Sequence, residues 1–367
     1  MVIGVDQHVG LAADAHDLQS RADVGVELHR HRNALGLAVF VAYGFGLQAP
    51  FVVCIMALLV LCKPGPPLPV VKSVVLAGVF AGMVAAGVLM VPLLENYAVA
   101  GVLLTAALLF VLFYMGQLRA NPLTTVLVLS FTLIPVAGVQ EQALIGVLAG
   151  TLAVGVLVGG AVSAASNALF PDPPASAAQA KSATAPDREN ARWVAWRGTL
   201  IVMPVFVLAL TNPSFYMAAI MKTVALSQQA GETNARHAGR ELVGSTLMGA
   251  LVAFVVWFGL SLWPSLWMLV LWMMAAALWA GSALFGARRS RFRPSFWSNA
   301  LITSLILLGP AIEDSDSGKS VLLGSAMRTS LFIGVALYAW ATVWLLERWR
   351  ATRRPSPPAL SPEGEIA

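Results

Sequence analysis

The chain has 367 residues, 58% of them hydrophobic and 11% charged, where a soluble domain carries roughly 45–50% apolar and about 25% charged residues. That balance excludes a soluble enzyme. The formal net charge of +5 is scattered in short loops at the borders of apolar blocks and forms no solvated basic face, which argues against nucleic-acid binding.

Residues 1–32 read as a polar tail. His8, His16, His29 and His31 are spaced by 8, 13 and 2 residues, which matches no compact metal-ligand motif, and the tail lacks the apolar core of a signal peptide. No metal and no other cofactor is expected. A bilayer core of about 30 Å takes roughly 20 apolar residues per straight helix, and blocks of that kind follow over residues 33–170. They are Ala34 to Leu61, Val74 to Leu94, Ala98 to Met115, Leu123 to Ala137 and Ala143 to Phe170. Gln48-Ala49-Pro50 interrupts the first block, and proline disfavours an unbroken helix there, so the block is read as a hairpin of two helices. Cys54 and Cys62 fall in or beside this block without a CxxC pair and read as core residues.

Residues 171–193 form a polar, Ala/Ser/Pro-rich linker. A second set of blocks occupies 194–347: Val194 to Leu210, Pro213 to Leu226, Leu242 to Leu262, Leu266 to Phe285, Trp297 to Ile312 and Val321 to Leu346. Thr211-Asn212-Pro213 breaks its first hairpin. Both hairpins are read as helices of about 14 to 16 residues, roughly 21 to 24 Å long, so ten full spans plus two re-entrant hairpins is the alternative threading. Residues 348–367 form a proline-rich tail. The fold class is thus an all-α polytopic membrane protein of about twelve helices.

All but three of the 23 Lys and Arg residues lie in the tails, the linker or every second loop, so the positive-inside rule puts both termini in the cytoplasm of a bacterial inner membrane. The two halves echo each other. Ser130-Phe-Thr-Leu-Ile-Pro135 leads to Glu141, and Ser304-Leu-Ile-Leu-Leu-Gly-Pro310 leads to Glu313, Asp314 and Asp316. Six helices per half make the repeats parallel, about an axis along the membrane normal. The GxxxG pairs Gly78/Gly82, Gly146/Gly150 and Gly155/Gly159 predict close helix packing.

Of the three exceptions to the charge pattern, Lys319 lies in an acidic outer loop, while Lys222 and Arg328 sit well inside apolar blocks, where a cation is costly. Lys222 reads as a cation facing a polar cavity that takes an organic anion, as a snorkelling lysine, or as half of a structural ion pair. Arg328 suits bidentate contact with a substrate carboxylate, structural pairing with Glu313, Asp314 or Asp316, or a lipid headgroup. Phe215, Tyr216 and Trp257 are candidate apolar contacts for substrate, with packing or an interfacial belt as their bland role. No carboxylate lies mid-span, which leaves Glu241, Glu141 and Asp316 as proton-coupling candidates or solvated helix ends. All five histidines map to cytoplasmic segments, so no catalytic constellation assembles in the bilayer.

The segment Arg240-Glu-Leu-Val-Gly244-Ser-Thr246-Leu-Met-Gly249 resembles the Arg- and Gly-containing signature that opens a helix in the fusaric acid resistance superfamily, although the spacing departs from the usual pattern. Leu305-Ile-Leu-Leu-Gly-Pro310-Ala-Ile-Glu313, followed by Gly324-Ser-Ala-Met-Arg328, is similar to its closing helix pair. The short linker points to a compact branch lacking the large central cytoplasmic domain of the aromatic acid exporters. The resemblance implies proton-gradient-driven export of small aromatic or hydrophobic weak acids, with a periplasmic adaptor of the HlyD type and an outer-membrane channel as partners. The competing expectation is a non-transporting scaffold or channel subunit of an envelope complex. Membrane lipids are the other contact, and a homo-oligomer is compatible with this arrangement.

Overall fold

The computed structural model describes residues 25, 28–29, 31–47, 49–61, 70–119, 124–169, 188–232, 235–316, 318 and 320–353. Most of both tails and of the linker, with Cys62, Lys63 and Lys319, lie outside them, while residues 348–353 of the expected C-terminal tail continue the last helix. Every regular element among the described residues is an α-helix, as the bilayer requires of a spanning chain that satisfies its backbone internally. In chain order these are α1 (residues 31–44), α2 (Pro50–Leu61), α3 (Val70–Asn96), α4 (Ala98–Leu118), α5 (Thr124–Gln140) and α6 (Gln142–Leu169). The second half supplies α7 (Arg188–Thr211), α8 (Pro213–Glu232), α9 (Ala235–Leu262), α10 (Leu266–Leu284), α11 (Pro294–Asp316) and α12 (Val321–Arg353). Seven of them, α4, α6, α7 and α9 to α12, are long and apolar enough to cross a membrane. The protein is an all-α polytopic membrane protein.

Both expected breaks occur at the prolines. The α1–α2 turn uses positive φ at Gly46 (60°) and Ala49 (45°). In the α7–α8 turn Asn212 Oδ1 accepts from the Phe215 amide at 3.3 Å, capping α8 where Pro213 occupies the first helical position. The second hairpin is longer than its apolar blocks. Its helices run 24 and 20 residues, about 36 and 30 Å, because Arg188–Trp193 and Ser227–Glu232 continue them. In α8 that polar end is covered by protein: Ser227, Gln229 and Ala230 are buried.

The contacts are doubled. In the first half α2 packs on α6 and α3 on α5; in the second α8 packs on α12 and α9 on α11. Across the halves α2 meets α11 while α8 meets α5, and α4 meets α7 while α1 meets α10 through Gly36–Met274 and Phe40–Trp267. The centre is α5 and α11. Every residue from Thr124 to Gly138 is buried in α5, as are Asn299 to Ala311 in α11. Their hydroxyls are satisfied within the helix: Ser130 donates to Val126 O (2.8 Å), Thr132 to Val128 O (2.9 Å) and Ser304 to Leu301 O (2.8 Å). Large apolar side chains such as Leu89, Val99, Leu103 and Leu322 are exposed on the outer helices, as a lipid-facing surface requires.

Close helix approach occurs at one of the GxxxG pairs and also at glycines outside them. A Cβ on Gly82, Gly146 or Gly150 would meet open space, whereas one on Gly155 would meet Met56 of α2 at 2.7 Å. Among the closest approaches, a Cβ on Gly309 would stand 2.2 Å from Phe51, one on Gly138 2.4 Å from Val91, and one on Gly249 2.5 Å from Thr303 and 2.6 Å from the Ala300 carbonyl. Spacing marks glycines, and only the partner helix decides which of them is pressed.

Candidate functional site

Lys222 lies nine residues into α8 and is fully buried. Its Nζ donates to Thr303 Oγ1 at 2.6 Å and to Asn299 Oδ1 at 3.3 Å, both on α11. Asn299 is the hub of a polar cluster: its Nδ2 donates to Gln229 Oε1 (2.8 Å) and to Ser245 Oγ (2.7 Å). Gln229 Nε2 donates to the Glu241 carbonyl at 3.0 Å. Three helices therefore converge on one lysine. On α8, Lys222 and Gln229 are seven residues apart and share a face; on α11, Asn299 and Thr303 are one turn apart; on α9, Glu241 and Ser245 are likewise one turn apart. Gly249 lets α9 approach near enough to place Ser245 and Thr303 in the same cluster.

The chemistry of the cluster is asymmetric. A lysine ammonium has three N–H donors, and Lys222 has two acceptors among the described residues, both uncharged. No carboxylate lies within ion-pair distance of it among those residues.

Two ion pairs frame this centre along α12. Arg328 Nη1 meets Asp314 Oδ2 at 2.8 Å, and Gly324 leaves the space for it, since a Cβ there would stand 2.9 Å from that carboxylate oxygen. At the other end Arg197 of α7, which is buried, pairs with Glu347 at 3.1 Å. The same guanidinium donates to the Ala230 carbonyl of α8. Thr303 and Asp314 are eleven residues apart on α11, so about 16 Å separates the Lys222 site from Arg328; Lys222 and Ala230 are eight apart on α8, about 12 Å. One carboxylate cannot bridge Lys222 and Arg328.

The other predicted residues fall in several places. Glu241 is buried beside the cluster, with Arg293 at 3.9 Å from its carboxylate. Glu141 is exposed at the α5–α6 corner, and Asp316 ends α11. Arg240 sits over the Phe292 ring at 5.2 Å, Gly244 faces Phe296 at 3.3 Å, and Pro310 is buried inside α11. Trp257 lines a cleft of about 530 Å³ with Ser325, Thr329 and Ser330 between α9, α11 and α12. Phe215 lines a separate one of about 490 Å³ between α7, α8 and α12. Tyr216 packs edge-on against Phe215 at 4.9 Å. Lys222 lines neither cleft. Sequence reasoning missed Asn299, Thr303, Gln229 and Ser245, although a polar i, i+4 pair inside an apolar block was a usable signal. It also assigned Arg197 to the solvated border, where the structure buries it.

Residues 30–165, well under half of the chain, match a family described as a protein of unknown function, DUF2955. No curated protein and no solved structure matches the chain. The matched segment covers most of the first repeat, whereas Lys222 and its partners lie in the second.

Proposed function

We propose that the chain is an inner-membrane exporter of small organic anions, aromatic or hydrophobic weak acids, driven by the proton gradient and handing its substrate to a periplasmic adaptor of the HlyD type and an outer-membrane channel. The observation that carries this reading is Lys222, a buried lysine near mid-depth whose neutral partners leave one N–H and the counter-charge to be supplied by a ligand. A carboxylate supplies both. The site is closed around Lys222, so loading requires α8, α9 and α11 to part, with the cytoplasm on the side that bears the termini.

Within this proposal Arg328 holds α11 against α12 at the far end through Asp314 and leaves the carboxylate to Lys222. Glu241 is the coupling candidate that the geometry favours, because it alone of the three adjoins the cluster. The resemblance to the fusaric acid resistance superfamily, carried by Arg240 to Gly249 and Leu305 to Arg328, agrees with this assignment.

The test is efflux of a panel of aromatic and aliphatic carboxylic acids from vesicles reconstituted with the purified chain, with and without a proton gradient. Saturable, gradient-dependent efflux is the expected result. Absence of transport for every acid, even with the adaptor present, would leave a scaffold, and ohmic conductance would make the protein a channel.

A further inference from the structure

The loop between α10 and α11 carries Arg288, Arg289, Arg291 and Arg293 within six residues and contains no acidic side chain. It is built onto aromatic rings. Arg288 lies over both Trp279 and Trp297, 5.1 Å from each ring, and the two indoles meet edge to face at 5.0 Å. Phe292 stacks on Phe296 at 4.1 Å and carries Arg240 on its other side. Ser290 Oγ accepts from Trp297 Nε1 (3.0 Å) and from the Phe292 amide (3.1 Å), and Gly286, at φ 83°, turns the chain back over α10.

We propose that this arginine loop on its aromatic shelf is a binding site for the phosphate of an anionic phospholipid. Indole rings at a helix end mark the membrane–water interface, and the loop stands on the same side as the end of α12, since α11 and α12 run in opposite directions. The two rings approach the exposed Arg288 guanidinium from one side and leave N–H groups on the other for phosphate oxygens, a contact in which arginine outperforms lysine. Arg289 and Arg291 are exposed and have no protein partner among the described residues. Glu241 stands 3.9 Å from Arg293. The local excess of positive charge thus faces the level at which lipid phosphates lie, and this inference is independent of what the protein transports.

The experiment measures binding of phosphatidylglycerol and of phosphatidylcholine to the full chain in mixed micelles, with inorganic phosphate as competitor. One arginine near an anionic surface is worth about fivefold in affinity. Arg289→Gln/Arg291→Gln should therefore lose about twenty-fivefold for phosphatidylglycerol, and Arg289→Lys/Arg291→Lys should fall between it and wild type. A control, Arg119→Gln/Arg192→Gln, removes the same charge from exposed positions off the shelf. An equal loss in the control, binding that does not distinguish the two lipids, or displacement by inorganic phosphate at equal concentration would overturn the proposal. Melting curves in the same micelles identify a variant that has merely unfolded, and Arg288→Gln then replaces it.

Discussion

Aligning the repeats on Pro50 with Pro213 and on Pro135 with Pro310 sets Leu59 opposite Lys222, Thr124 opposite Asn299 and Val128 opposite Thr303. The matched positions carry Leu, Thr and Val in the first repeat and Lys, Asn and Thr in the second. In the first, α2 and α5 fill the centre with Leu58, Phe131 and Ile134, all fully or nearly fully buried. In the second, α8 and α11 bury a lysine and surround it with an amide, hydroxyls and a second amide. The frame needs only the first arrangement to stand. A packed apolar centre is often as stable as a buried ionic one, so on the proposed reading the charged version is there for the anion it binds, with the first repeat as its apolar counterpart.

The largest effect should come from erasing the difference. Leu59→Lys puts a cation at a half-buried position whose aligned neighbours are Thr124 and Val128 in place of Asn299 and Thr303, and should cost up to about 3 kcal/mol, read as a lowered midpoint of unfolding in detergent. An unchanged midpoint would mean that the first repeat tolerates charge as well as the second does, and the comparison would fail.

Next is Asp314→Asn. The Arg328–Asp314 pair has no counterpart, since Val139 stands in the place of Asp314. Its side chains are 25% and 14% exposed, so stranding Arg328 should cost about 2 kcal/mol, less than the roughly 3–5 kcal/mol of a fully buried pair. Glu141→Gln, at the exposed corner of the first repeat, should leave the unfolding midpoint where it is.

A third comparison uses the glycines that bring α3 to α5 and α9 to α11. Gly249→Ala meets the Ala300 carbonyl at 2.6 Å and Thr303 at 2.5 Å, while Gly87→Ala meets the Ile134 side chain at 3.2 Å. The first should cost about 1–3 kcal/mol and the second less than about 1 kcal/mol. Gly249→Ala should in addition weaken substrate binding, because the displaced Thr303 side chain carries an acceptor of Lys222. Equal effects at the two sites would mean that Thr303 and the Ala300 carbonyl give way as readily as Ile134 does.

The smallest effect is expected at the first hairpin, where Ala49 holds a φ of 45° and the second hairpin has a capped turn. Ala49→Gly should stabilise by about 1 kcal/mol, since an L side chain is strained in the left-handed region. A loss of stability would show that the alanine methyl makes contacts worth more than that strain.

The helices and both hairpin breaks were legible because lipid imposes an apolar block and proline ends it. The ends of α7, α8 and α12 were not, since Arg197, Gln229 and Glu347 are polar residues in protein contacts, and the apolar-block criterion stops where composition changes. Lys222 stood out as an isolated cation. Its partners did not, because Asn299 and Thr303 lie 77 and 81 residues away and only the α8–α11 crossing joins them. For Arg328, pairing with Asp314 was one of the open readings, and the i to i+14 connection depends on how the α11–α12 turn closes. Of the GxxxG glycines Gly155 is pressed on α2 as expected while Gly82, Gly146 and Gly150 are not, for the spacing does not say whether a helix faces them.

The measurement closest to the central claim compares wild type, Lys222→Met and Leu59→Ala in the reconstituted efflux assay, each shown to be folded by its unfolding midpoint. Losing one partner of a buried charge contact costs about 2–5 kcal/mol, so Lys222→Met should transport at least about thirtyfold more slowly while Leu59→Ala keeps its rate. A folded Lys222→Met that exports the same acid at the wild-type rate would contradict the account.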